Sequence, residues 1–126
     1  MTSVSANRGG SVADNTLNYP YYVFYYSNAL YISDSTNHRV LRYDVTGISD
    51  GESANLGLGQ ANFTSGDANR NGSVATNTLS TPQDITLNAG GSTLFVADYS
   101  NHRVVGYNSA GFSNGMAGYV FLGQAD

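Results

Sequence analysis

The second half of this chain repeats the first, and that constrains its fold more than any other feature. DSTNHRVLRYD (34–44) returns as DYSNHRVVGYN (98–108), 64 residues on. ANRGGSVADNTLNYP (6–20) returns as ANRNGSVATNTLSTP (68–82), 62 residues on, and LGQA (58–61) returns at 122–125. The two-residue difference falls at one turn, where the second copy has NAGGST (88–93) and the first has YSNA (26–29). A turn tip is where an insertion disturbs neighbouring strands least. The repeat divides the chain into two units, 1–62 and 63–126, each a connector followed by one structural module. Repeated supersecondary units bury their apolar faces by stacking on one another.

Each unit contains four short apolar runs separated by Gly, Asn, Asp and Ser. In the first they are YVFYY (22–26), LYISD (30–34), RVLRYD (39–44) and NLGLGQ (55–60). In the second they are DITL (84–87), TLFVAD (93–98), RVVGYN (103–108) and YVFLGQ (119–124). No window carries apolar residues at helical spacing, and short links favour antiparallel neighbours. The expected fold is therefore all-β, with one four-stranded antiparallel meander per unit. Val23 matches Ile85 and Tyr25 matches Leu87, so these positions are expected on the packed side of each sheet.

The pattern LY[IV][AS]D-x-x-NHRV followed by LGQ, present in both units with a Pro-led first strand, resembles the NHL-repeat family. The resemblance spans nearly the whole chain. It implies a β-propeller in which each unit is one blade, the first strand lies nearest the axis, and six blades close the ring. Two blades do not close a ring, since propellers use about 4 to 8. Both faces of a blade are apolar, and a two-blade particle would leave one face of each in water. The joint between the units reads LGQANFTSGDANRNG (58–72). Setting the end of one chain before the start of another puts Asp126 where Asn62 stands and Met1 where Phe63 stands. A head-to-tail ring of copies is the expectation; two, three or four chains could close it, and a homotrimer matches the six blades that the resemblance implies.

A His beside an Arg and near an Asp invites a catalytic reading. The repeat argues against it: Asp34, Asn37, His38 and Arg39 recur as Asp98, Asn101, His102 and Arg103. A group that recurs once per blade serves the fold, and no nucleophile is placed to make a triad. The Asp residues are expected to accept backbone amides in the turn, the Asn residues to adopt a left-handed conformation, and His and Arg to brace the strand ends or the adjacent blade. The loop TSGDANRNGS (64–73) places Asp67, Asn69 and Asn71 like the opening of a calcium loop. Its closing bidentate Glu is replaced by Thr78, so metal is not expected there. Asp84 is the single acidic residue on an expected inner strand, and Tyr22 is its counterpart. Repeated around an axis, Asp84 is the one position from which a central cation could be held, as in related propeller lyases and lactone hydrolases; that metal enzyme is the alternative reading.

Charge and composition narrow the rest. The formal net charge is −4, there is no Lys, and all five basic residues are Arg. Nucleic-acid binders carry a basic stripe, so that partner class is not expected. The chain has no Cys and no apolar stretch long enough to span a bilayer, and MTSVSANRGG lacks the apolar core of a secretory signal. Membrane association is not expected, and the compartment stays open. The expected function is a non-catalytic scaffold without cofactor that binds copies of itself and presents loops to a peptide, protein or carbohydrate. Tyr21, Tyr22, Arg8 and Arg70 are the candidate contacts, because amphipathic aromatics and arginines suit interfaces.

Overall fold

The computed structural model describes residues 4–124, and Met1 and Asp126, the two residues of the expected inter-chain joint, lie outside them. The fold is all-β. The first sheet comprises β1 (Pro20–Tyr26), β2 (Ala29–Asp34), β3 (Arg39–Asp44) and β4 (Leu56–Leu58). The second comprises β5 (Pro82–Leu87), β6 (Thr93–Asp98), β7 (Arg103–Asn108) and β8 (Val120–Leu122). Each is a four-stranded antiparallel meander in sequence order, an arrangement that fits a propeller-like fold. Both first strands start at the proline, where no ladder N–H is lost, and both shift register between that proline and the third residue after it (Pro20/Val23 and Pro82/Ile85).

The turns follow from their residues. Ser27 and Asn28 link β1 to β2 with φ of 47° and 60°, the paired left-handed geometry of a tight hairpin. The longer β5–β6 turn is held by Asn88, whose Oδ1 accepts the amides of Ser92 and Thr93 at 2.8 and 3.1 Å. A short 3-10 turn joins β2 to β3 and another joins β6 to β7, ending in His38 and His102 at φ 53° and 54°. The left-handed residue is thus the histidine, and Asn37 and Asn101 remain inside the 3-10 turn. Histidine shares with asparagine an elevated tolerance of that region, and here the asparagine side chains are engaged elsewhere.

The core lies between the sheets. From the first come Ala29, Tyr31, Val40, Leu56 and Leu58; from the second come Ile85, Leu87, Leu94, Val96, Val105 and Tyr107. Alternate residues along β2 and β3 point the other way: Leu41 and Tyr43 form a smaller cluster with Ala54, against which Leu17, Ile32 and Phe63 pack. Phe63, the first residue of the second unit, thus packs against the first sheet.

Candidate functional site: the joint between repeats

Each NHR element is built around a buried carboxylate. Asp34 Oδ2 accepts from Arg39 Nε at 2.6 Å and from Asn37 Nδ2 at 2.9 Å. Asp34 Oδ1 accepts the Asn18 amide at 2.6 Å. The arginine then reaches on, its Nη2 donating to the carbonyls of Ala13 and Thr16 at 2.8 Å and its Nη1 to Phe63 at 2.7 Å. Asn37 pairs with Asn7 by two amide hydrogen bonds of 2.9 and 3.3 Å. The second unit repeats the plan: Asp98 accepts from Arg103, Asn101 and the Ser80 amide at 2.7, 2.8 and 2.7 Å. Asn101 pairs with Asn69 at 2.8 and 3.0 Å. The amides that the Asp residues accept therefore belong to the connectors, not to the turns. A buried carboxylate needs this many donors, since burial is tolerated only when charge and lone pairs are met.

The histidines do something else. His38 Nδ1 accepts the backbone N–H of Thr81 in the second sheet's connector at 2.9 Å. Thr81 is held at φ 52°, which aims its amide at the ring. Burial lowers the His38 pKa, against the attraction of Asp67, Asp34 and Asp98. The ring is therefore neutral near pH 7, the only state in which Nδ1 accepts a hydrogen bond. Around this contact the joint is dense. Gln60 donates to the carbonyls of His38 and Asp67 at 3.0 and 2.8 Å, Ser33 Oγ donates to the Gln83 carbonyl, and Arg70 donates to those of Gly59 and Gly115. Leu79 lies fully buried against Gly59, where a Cβ would sit 2.7 Å from Leu79 Cδ1.

The same groups stand bare at the two outer faces. His102 is exposed and its ring has no hydrogen-bond partner among the described residues. Tyr19, which matches Thr81, has the same left-handed φ of 56°, and its N–H meets no acceptor among the described residues. The socket that Leu79 fills on the first sheet is matched on the second by an open concavity of about 500 Å³ lined by Tyr99, His102, Arg103, Val104, Leu122 and Gly123. On the first sheet's outer face, Leu17, Leu30, Ile32 and Tyr43 line a second concavity of about 280 Å³. Val23 and Tyr25 are 58% and 60% exposed, while their counterparts Ile85 and Leu87 are 2% and 9% exposed. The expectation that all four sit on a packed side is met in the second sheet and unmet in the first.

Tyr21 and Tyr22 lie exposed on β1, with the Tyr21 ring 6.3 Å from that of Tyr19. Arg8 is exposed beside Gly51, whereas Arg70 is tied into the joint. Asp84 and Asp67 are exposed, and no group of three metal-ligating side chains occurs among the described residues. Asn69 spends its amide on Asn101, and Asn69, Arg70 and Asn71 all have positive φ. Three joint residues escaped sequence reasoning: Gln60, Leu79 and Thr81. The recurrence of LGQ, and of Leu17 as Leu79, was the available signal for the first two. Comparison with family models and with curated proteins gives no match.

Proposed function

We propose that this chain is a non-catalytic propeller scaffold of the NHL-repeat kind, which joins head to tail with copies of itself and serves as a binding module. One observation carries the reading: the His38–Thr81 joint is complete inside the chain, and both of its halves recur unpaired at the outer faces. In the ring, His102 of one copy accepts the Tyr19 amide of the next. Leu17 enters the socket beside Gly123 as Leu79 enters the one beside Gly59. A second copy is the occupant argued here because each outer face is a copy of one half of an interface this chain already makes. Such a contact is heterologous and closes when its rotation divides a full turn. Six blades give three chains.

The connectors and the NHR turns gather at one end of both sheets through the Asp34 and Asp98 hydrogen bonds. A ring would repeat that end around its axis, so that weak contacts to a peptide, protein or carbohydrate add up.

Light scattering on the purified chain tests assembly. The expected mass is about three times 13.3 kDa. Leu122→Asp places a charge in the open socket and is expected to return the mass to that of one chain, with far-UV circular dichroism unchanged. A wild-type particle that stays folded at 13.3 kDa overturns the proposal.

A further inference from the structure

We propose that the cleft around Arg42, at the seam between the two sheets, binds a small organic carboxylate. The cleft has a volume of about 430 Å³ and is walled by Tyr31, Leu56, Leu87 and Phe112, with Arg42 and Asn55 at its polar side. Every wall comes from one chain, so this inference goes beyond self-assembly and does not depend on it; it names a ligand class for the binding role.

The arginine is what gives the cleft its chemistry. Arg42 Nη1 donates to Asn55 Oδ1 at 3.0 Å, and its guanidinium lies 6.0 Å from the centre of the Tyr31 ring. Among the described residues its Nε and Nη2 donate to nothing, and no carboxylate lies within ion-pair distance. Those two nitrogens form the edge of the guanidinium that grips a carboxylate by two parallel hydrogen bonds. Asp44, two residues along β3, makes no ion pair with Arg42, and its Oδ1 is held by the Thr46 amide and hydroxyl at 2.9 and 2.7 Å. Asn55 holds the guanidinium by one nitrogen and so orients the free edge. The tilted Tyr31 and Phe112 rings, with centroids 6.1 Å apart, supply an apolar wall suited to a ring-bearing ligand.

The repeat shows that the fold does not require this arrangement. Gly106 stands where Arg42 does, and Tyr119 where Asn55 does. In the second sheet Tyr119 is anchored through its N–H to the Gly106 carbonyl at 2.8 Å and through its hydroxyl to Thr93 Oγ1 at 2.6 Å. The second sheet thus carries neutral groups where the first carries Arg42 and Asn55. The first sheet instead places an uncompensated cation at the rim of an open cleft in a protein of net charge −4, which is an arrangement for selecting an anion.

The test uses benzoate as the probe, with benzamide as its neutral counterpart and inorganic phosphate as an anion lacking a ring. Binding is read by chemical-shift perturbation of backbone amides. Benzoate is expected to shift amides at Ser27, Asn55 and Phe112, and benzamide and phosphate are expected to bind at least about tenfold more weakly. Arg42→Gly, which copies the second sheet, is expected to weaken benzoate by about tenfold or more. Arg42→Gln keeps the stem and repeats the test should the glycine variant unfold. Absence of benzoate shifts, equal binding of benzamide or phosphate, or unchanged benzoate affinity in a folded variant each overturns the assignment. None of these outcomes bears on the mass in solution, so the two proposals fail separately.

Discussion

The two sheets carry nearly the same residues in nearly the same geometry, yet several strand positions buried in one sheet are exposed at the equivalent positions of the other. Ile85 and Leu87 of β5 are covered by the first sheet, whereas Val23 and Tyr25 of β1 face solvent. Ser35, just past β2, is buried, whereas its counterpart Tyr99 is 60% exposed. The difference lies in what stands next door and not in the strands themselves. Among the described residues, only the faces that the two sheets turn toward each other share one core.

The buried carboxylates offer the largest effect by which this comparison can be sharpened. Asp34→Ala leaves Arg39 buried without its partner, and a cost of about 3–5 kcal/mol is expected in urea unfolding. Asp98→Ala is expected to cost somewhat less, because Arg103 is less completely buried than Arg39 and water can reach it more readily. Equal losses would mean that this difference in burial is without effect.

A middle-sized effect concerns the histidine joint. The lowered His38 pKa means that the unfolded chain takes up this proton more readily than the folded one. Stability is then full above the ordinary histidine value of about 6.5 and falls as pH drops from there toward the lowered folded value. Protonation removes the acceptor for Thr81, worth about 0.5–1.5 kcal/mol. His38 and His102 are the only histidines, so few other groups titrate in that window. His38→Asn offers Oδ1 in place of Nδ1 and is expected to flatten the dependence while keeping stability near pH 7.5. Denaturation midpoints at about pH 7.5 and 5.5 read this directly, and an undiminished slope in the variant would sink it.

The smallest effect separates two equivalent tyrosines. The Tyr107 hydroxyl is fully buried with no hydrogen-bond partner among the described residues, and burial pushes its pKa up. Tyr43, its counterpart, is pushed up to about 12 and is not among the unpartnered buried hydroxyls. Tyr107→Phe is expected to gain about 1 kcal/mol, and Tyr43→Phe less. Differential scanning calorimetry of both variants distinguishes them.

Much of the fold was legible because it is local. Alternation and turn residues placed all eight strands, although β4 and β8 are shorter than the apolar runs around them. The joint was less legible. That His38 touches Thr81, 43 positions away, depends on how two sheets stack, and no spacing in the sequence states it. The left-handed residue was misplaced by one position because asparagine outranks histidine in that conformation when nothing else competes. Here Asn37 is drawn away by Asp34 and Asn7. Arg42 was visible only as an uneven match to Gly106, and its significance needed the cleft in front of it.

The Ser33 hydroxyl, which donates across the interior joint to the Gln83 carbonyl, is replaced by Ala97 in the second sheet. A circle of such subunits would have two kinds of seam in alternation, one with this rivet and one without. Under load or dilution it would part at the boundaries between molecules first, releasing whole two-sheet pieces ready to be reused.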